Sequence, residues 1–231
     1  MLTVRTVVAL LSLLAVVPPI LPAGEAVPEG FKPIFNGKDL TGWHVSQTNH
    51  HGNSEGWTVS EGVLLATQDR PGNGGILLTD EKYRDFEVSL EIKPDWGCDG
   101  GLFLRSNEKG EAYQVMIDYL EGGSVGGLYG EGLGDLGPGQ SGDRTGANWK
   151  EAWKKDDWNT LRARIEGEVP HIQVWLNQTR IVDWTDTQNH LKDAATEGMI
   201  ALQVHLSNAE IPRWKEGGHH RYRNLAVQEL R

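Results

Sequence analysis

The stretch Met199-Ile-Ala-Leu-Gln-Val-His-Leu-Ser207 decides the fold. Successive side chains of a β-strand point to opposite faces. Ile200, Leu202, Val204 and Leu206 therefore make one apolar face, and Ala201, Gln203, His205 and Ser207 the other. Tyr113-Gln-Val-Met-Ile-Asp118 repeats the pattern, with Tyr113, Val115 and Ile117 against Gln114, Met116 and Asp118. Gly101-Leu-Phe-Leu-Arg105 opposes Leu102 and Leu104 to Phe103 and Arg105. The apolar faces predict that Leu102, Leu104, Val115, Ile117, Leu202, Val204 and Leu206 are buried between two antiparallel sheets. Solvated outer faces usually carry Lys, Glu and Thr, so Arg, Gln, Asp and His in their place point to a site.

Working outward, further strands are expected at 57–60, 63–67, 76–79, 86–93, 159–166, 171–176, 179–184 and 220–228. Phe86, Val88, Leu90 and Ile92 alternate with Glu87, Ser89, Glu91 and Lys93, the mark of a half-buried antiparallel strand. Glu61-Gly62 and Asn177-Gln178 fall where hairpin turns belong. Helical periodicity is lacking beyond short turns expected near 147–155 and 189–195. The class is all-β, an antiparallel β-sandwich or jelly roll. The glycine-rich stretch from Glu121 to Trp149 reads as a long functional loop beside the polar face.

Residues 1–26 read as a secretory signal peptide. Arg5 precedes the apolar run Val7–Val17, Pro18, Pro19 and Pro22 break it, and small residues at Ala23 and Ala26 offer cleavage points. The run is short for a membrane span of about 20 residues, and no other stretch of spanning length follows. The mature chain, 27–231, is then one secreted or periplasmic domain with no transmembrane segment. A net charge of −10 without a basic cluster argues against a nucleic-acid partner. The lone cysteine, Cys98, can form neither an internal disulfide nor a multi-cysteine zinc site.

His205 has the chemistry of a general base. Asp118 could orient its ring, and Arg105 could grip a sugar oxygen or stabilise an enolate. Conventional glycoside hydrolysis needs two opposed carboxyl groups, and Gln114, Met116 and Asp118 supply a single acid. Glu91, Glu121 and Glu131 are the candidates for a second. His50-His51 and His219-His220 read as poor chelates, because neighbours on a strand point apart. Asp95, Asp99 and Asp118 offer oxygen ligands but no calcium-loop motif. A divalent metal is thus a candidate cofactor with no ligand set assigned. Among nine tryptophans, Trp43, Trp57, Trp175 and Trp184 fit core patterns. Trp96, Trp149, Trp153 and Trp214 lie in loops, where an indole suits stacking on a sugar. Asn177-Gln-Thr179 matches the N-glycosylation motif.

Gly30-Phe-Lys-Pro-Ile-Phe-Asn-Gly-Lys-Asp-Leu-Thr-Gly-Trp43 resembles the opening F-x-G-x-x-L-x-G-W of the 3-keto-disaccharide hydrolase family (DUF1080). The resemblance continues in order through Trp57–Leu64, Tyr83–Glu87, Gly101–Arg105, Tyr113–Asp118, Asp157–Asn159, Val174–Asn177, Gly198–His205 and Arg223–Leu225. Gln178 stands where the family has a turn glycine, and Ala112 or Gln114 where many relatives carry a glutamate. The resemblance implies a concanavalin A-like jelly roll acting on carbohydrates oxidised to a ketone at C3. With the strand neighbours that the resemblance implies, face parity expects Arg105, Gln114, Asp118, Gln203 and His205 on one concave face, with Tyr129 and Glu131 on its rim; the loop indole of Trp96 is expected as a substrate contact. Elimination across C1–C2 of a 3-keto glycoside needs one base and an enolate stabiliser, which a face with one aspartate, a histidine and an arginine accommodates. A non-catalytic carbohydrate-binding module is the alternative.

Overall fold

The computed structural model describes residues 27–230; the expected leader, residues 1–26, lies outside them. Strands are numbered in chain order. One sheet runs β2 (Trp43–Val45), β5 (Gly75–Tyr83), β14 (Gly198–Val204), β7 (Gly100–Ser106), β8 (Ala112–Ile117), β9 (Val125–Glu131). The other runs β10 (Ser141–Asp143), β13 (Thr179–Thr185), β12 (His171–Leu176), β11 (Asn159–Glu166), β6 (Phe86–Ile92), β15 (His220–Glu229), β4 (Val63–Ala66), β3 (Trp57–Ser60). β1 (Lys32–Pro33) adds to the side of β15. The pairings are antiparallel, so the expected all-β sandwich is the fold observed. Among the described residues no helix is long and apolar enough to cross a membrane.

The core between the sheets holds Leu102, Leu104, Val115, Ile117, Ile200, Leu202 and Val204 from one side, and Val88, Leu90, Leu161, Val174 and Val227 from the other. Leu206 departs from expectation. β14 ends at Val204, and Leu206 is half-buried beyond the sandwich, beside a cleft. Trp43, Trp57 and Trp184 are buried as expected. Trp175 is only half-buried, with the Arg162 guanidinium 4.3 Å over its ring.

The glycine-rich stretch is not one continuous loop. It carries β9 and β10 and ends where the helical turn α1 (Trp149–Ala152) begins. Val125 and Leu128 complete the core as β9 pairs with β8. Its glycines serve close packing rather than freedom: a Cβ at Gly126 would sit 2.3 Å from Ile181, and one at Gly127 2.5 Å from the Thr145 carbonyl. Periodicity reading misses such a strand because glycine leaves no side chain to alternate.

Both expected hairpin turns form with two consecutive left-handed residues, Glu61-Gly62 (φ 52° and 79°) and Asn177-Gln178 (φ 47° and 71°). That geometry favours Asn-Gly, and Gln178 is strained in it. Gln178→Gly is therefore expected to raise stability by about 0.5–1 kcal/mol, read as a higher urea midpoint with unchanged slope. The Asn177 amide nitrogen is committed within the protein, donating to Ala152 O (2.8 Å) and Asn159 Oδ1 (2.6 Å), so the glycosylation motif here serves a turn.

Candidate functional site

The face of the β2-to-β9 sheet turned away from the core is apolar at one end and polar at the other. Ile76, Leu78, Phe103, Ala112, Met199 and Ala201 bury the apolar end. The segments that cover it meet where Ser46 Oγ and Thr48 Oγ1 both donate to Glu108 O, at 2.6 and 3.0 Å. At the polar end, an open cleft of about 390 Å³ is lined by residues including Asp99, Asp118, Glu131, His51, His205 and Arg213.

Register sets the floor. Gln203 on β14 lies opposite Gly101 on β7, and Gly101 opposite Met116 on β8. A Cβ on Gly101 would fall 2.5 Å from the Gln114 amide. Glycine there lets Gln114 cross β7 and donate to Gln203 Oε1 (3.0 Å) and Gly100 O (3.2 Å). Beyond the strand ends the same pairing continues: His205 N donates to Asp99 O (3.1 Å), and Cys98 bridges Tyr119. Extending both registers lines up His205, Asp99 and Asp118 in one cross-sheet row. Directly opposed side chains have Cβ atoms about 5 Å apart, so Asp99 has His205 on one side and Asp118 on the other. Arg213, from the segment linking β14 to β15, reaches both carboxylates, at 3.3 Å from Asp118 and 3.6 Å from Asp99.

This row has strong electrostatic consequences. Burial, then the neighbouring Asp118 charge, pushes the Asp99 carboxyl up to about 8 against the pull of Arg213. Asp99 therefore keeps its proton at neutral pH. Burial also raises Asp118. Burial, with a smaller contribution from His51, lowers His205 to about 4, so its ring is neutral. His205 Nδ1 lies 2.6 Å from Leu206 O. A carbonyl accepts only, so Nδ1 carries the hydrogen and Nε2 keeps the lone pair.

His50 and His51 come from the turn before β3, not from a strand. Asn49 Oδ1 accepts from His51 N (2.9 Å) and Gly52 N (3.2 Å), folding the turn so that both rings face one way, 4.0 Å apart. The strand-parity objection to this pair thus fails. Their Nε2 atoms lie 3.2 and 3.3 Å from the same oxygen, Glu131 Oε1. These three residues form the candidate cation-binding group among the described residues. The imidazoles hold Glu131 below the usual carboxylate range even though burial opposes this.

Of the expected site residues, Gln114, Asp118, Tyr129, Glu131 and His205 line the cleft, and Gln203 is fully buried beneath it. Asp118 is not the partner of His205: Asp99 stands between them, and two strand spacings amount to about 10 Å. Trp96 is exposed and does not line the cleft; it stacks edge-on against Tyr119, ring centres 5.0 Å apart. Arg105 is also elsewhere. A bulge between Met199 and Ala201 breaks the β14–β7 register, and Arg105 itself has φ 55°, so the alternation from Phe103 does not carry through. Its buried guanidinium donates to Asp85 Oδ1 (2.8 Å), Arg84 O (2.6 Å) and Gly167 O (3.0 Å), tying two turns together. Arg105→Ala should cost about 3 kcal/mol of stability by orphaning these acceptors, while the folded variant keeps its turnover; a melting curve and a kcat on soluble protein check both. Among the other acids considered, Glu91 pairs with Arg223 (2.9 Å) and Glu121 is exposed.

The family model described as the 3-keto-alpha-glucoside-1,2-lyase-like domain matches residues 30–228. A 3-keto-disaccharide hydrolase of Bacteroides thetaiotaomicron VPI-5482 is 26% identical over 98 residues, 40% of this chain and 33% of that protein. The match thus spans a third of the relative's length. A crystal structure of a candidate glycosyl hydrolase from Parabacteroides distasonis ATCC 8503 superposes with a TM-score of 0.58 at 18% identity, covering 88% of this chain and 95% of that one. The VIP36 exoplasmic/lumenal domain, bound to Ca²⁺ and Man3GlcNAc, superposes with a TM-score of 0.52 at 10% identity, covering 87% and 90%. At these identities the superpositions establish the fold, a sandwich of the concanavalin A-like lectin and glycosidase type. With the family match running through both sheets, the chain belongs to the 3-keto-alpha-glucoside-1,2-lyase-like family of carbohydrate-active domains.

Proposed function

We propose that the protein cleaves 3-keto glycosides by elimination across C1–C2 followed by hydration. The observation that carries this reading is the row His205–Asp99: a neutral imidazole with a free Nε2 lone pair beside a carboxylic acid that retains its proton. The C3 ketone acidifies the C2 proton. His205 Nε2 takes that proton, and the C2–H electrons form an enolate whose charge rests on the C3 oxygen. The enolate collapses back to the ketone as a C1=C2 double bond forms. The C1–O bond breaks, and Asp99 protonates the leaving oxygen. Water then adds to C1, returning a proton to the Asp99 carboxylate, while imidazolium returns one to C2. The sum is hydrolysis, with both groups reset. Arg213 replaces Arg105 as the cation in the cleft, where it can bind a developing oxyanion.

An acid–base pair of this kind does not need the opposed carboxylates of a conventional glycosidase, which fits a row with Asp99 protonated. A location outside the cytoplasm stays part of the proposal, resting on residues 1–26. The test is incubation with 3-keto-lactose and 3-keto-trehalose and with their unoxidised parents in deuterated water. The keto sugars should be consumed with deuterium entering C2, and the parents should be inert. Equal rates for both, without C2 exchange, would sink the elimination.

A further inference from the structure

We infer that Gln68 is a positioning residue for His205: its carboxamide fixes the peptides that hold the imidazole in the tautomer of a base. His205 needs such support because of where it sits. β14 ends at Val204, opposite Gly75 on β5 and Gly100 on β7, the first residues of those strands. His205 therefore lies one residue past the ladder, where its N–H still donates to Asp99 O. A base on an unpaired strand end loses its aim unless something replaces the missing pairing.

The replacement comes from segment 67–74, which joins β4 to β5. Gln68 Nε2 donates to His205 O at 2.8 Å, and Gln68 Oε1 accepts from Gly72 N at 2.8 Å. The Gly72 N–H can only donate, so it sets the carboxamide with its nitrogen toward His205. Gly72 O in turn accepts from Ser207 N (3.3 Å). The segment lies directly on the chain it supports: a Cβ at Gly74 would fall 2.6 Å from Leu206 N and 2.7 Å from the His205 carbonyl carbon.

These bonds reach the ring through planar peptide units. The unit between His205 and Leu206 is held at its oxygen by Gln68 itself. The unit between Leu206 and Ser207 is held at its N–H by Gly72, which Gln68 holds. The oxygen of that second unit is Leu206 O, the acceptor of the His205 Nδ1 hydrogen. Gln68 thus aims the carbonyl that decides which ring nitrogen keeps its lone pair. Without it, Leu206 O is free to turn and the hydrogen to move to Nε2, the nitrogen that must stay bare to accept a proton.

Gln68 does not line the cleft. It lines a separate opening with Ser207, Asn208 and Trp214, so its effect on turnover passes through His205 rather than through the sugar. The effect on rate rests on the reaction proposed above; the effect on the tautomer does not.

The test uses the full protein. Gln68→Glu keeps the acceptor for Gly72 N and loses the donor to His205 O, whereas Gln68→Met loses both at similar size. Each should lower kcat on a 3-keto glycoside about 10–100-fold, the usual loss when a group that orients another is removed. KM and the melting temperature should change little. In a His205→Ala background neither should cost anything further, because the ring they position is gone. Nitrogen-15 NMR of the histidine rings reads the tautomer without substrate, the His205 signals being those missing from His205→Ala. Wild type should carry the hydrogen on Nδ1, and Gln68→Met should share it with Nε2. An unchanged tautomer, equal losses in both backgrounds, or unfolding of both variants would overturn the positioning role. A tautomer that shifts in a protein with no turnover of keto sugars would uphold that role and overturn the reaction instead.

Discussion

His205→Ala is expected to lower kcat on a 3-keto glycoside by about 10²–10⁴, the usual contribution of a positioned base. The reason is geometric. Leu206 O holds the Nδ1 hydrogen, so Nε2 is the atom free to accept a proton, and the other two imidazoles that line the cleft, His50 and His51, are turned to Glu131. The loss should appear in kcat rather than KM, because the C2–H bond breaks only in the transition state. Deuterium exchange at C2 should fall in proportion. Added imidazole, entering the space the ring vacates, should restore part of the rate. The side chain lies past the end of β14 and outside the sandwich core, so the melting temperature should change little. A variant that turns over normally, or one that imidazole cannot rescue although folded, would remove His205 as the base.

Asp99→Asn is expected to lose about 10²–10³ in turnover and to become more stable relative to wild type as pH rises. The unfolded carboxyl ionises near 3.8, whereas the folded one holds its proton up to about 8. Between those values the native state binds one proton more than the unfolded chain, so this group's contribution is fully present below pH 3.8 and drains away as pH rises through 8. An amide has no such dependence. The stability difference between variant and wild type should therefore widen with pH over that window, by at most about 1.4 kcal/mol per pH unit, and flatten above it. Asp118, Arg213 and Glu131 are the charged groups facing Asp99, and burial exceeds each of them as the cause. Wild-type kcat should fall above pH 8 as the acid is lost. The defect of Asp99→Asn should be largest for alcohol leaving groups and small for a nitrophenolate, which departs without protonation. Urea midpoints at pH 5, 6, 7 and 8, with kcat for both leaving groups, check the two halves. A stability difference constant with pH would mean that Asp99 is already ionised and is not the acid.

Much of this could be read from the chain. The period-2 stretches 101–105, 113–118 and 199–204 announced a two-sheet sandwich, because a strand's side-chain period is a local property that apolar burial imprints directly on sequence. The ordered family motifs between Gly30 and Leu225 pointed to the substrate class. Face parity within each strand, with the family resemblance supplying which strands are neighbours, placed Gln114, Asp118 and His205 around one cleft. It would have reached Asp99 too, had the alternation of Phe103 and Gly101 been continued two residues back.

Other features were settled only by tertiary structure. Arg105 left the face its parity assigned because a bulge in the β14–β7 pairing, invisible in composition, turned it toward Asp85. β9 was hidden because its glycines leave no pattern, though they allow the close approach of Ile181 and Thr145. Arg213 and the His50–His51 turn sit on segments without periodicity, and their positions follow from where neighbouring strands end. Which carboxylate keeps its proton was likewise beyond the sequence. Asp99, Asp118 and Glu131 are chemically alike, and what separates them is cross-strand register and burial: one lies opposite another aspartate, and one beneath two imidazoles. The sequence by itself determined strands, core and family, because these depend on the order of side chains along the chain. Acid, base and cation site depend on distances between strands far apart in that order, and those exist only once the sheets have paired.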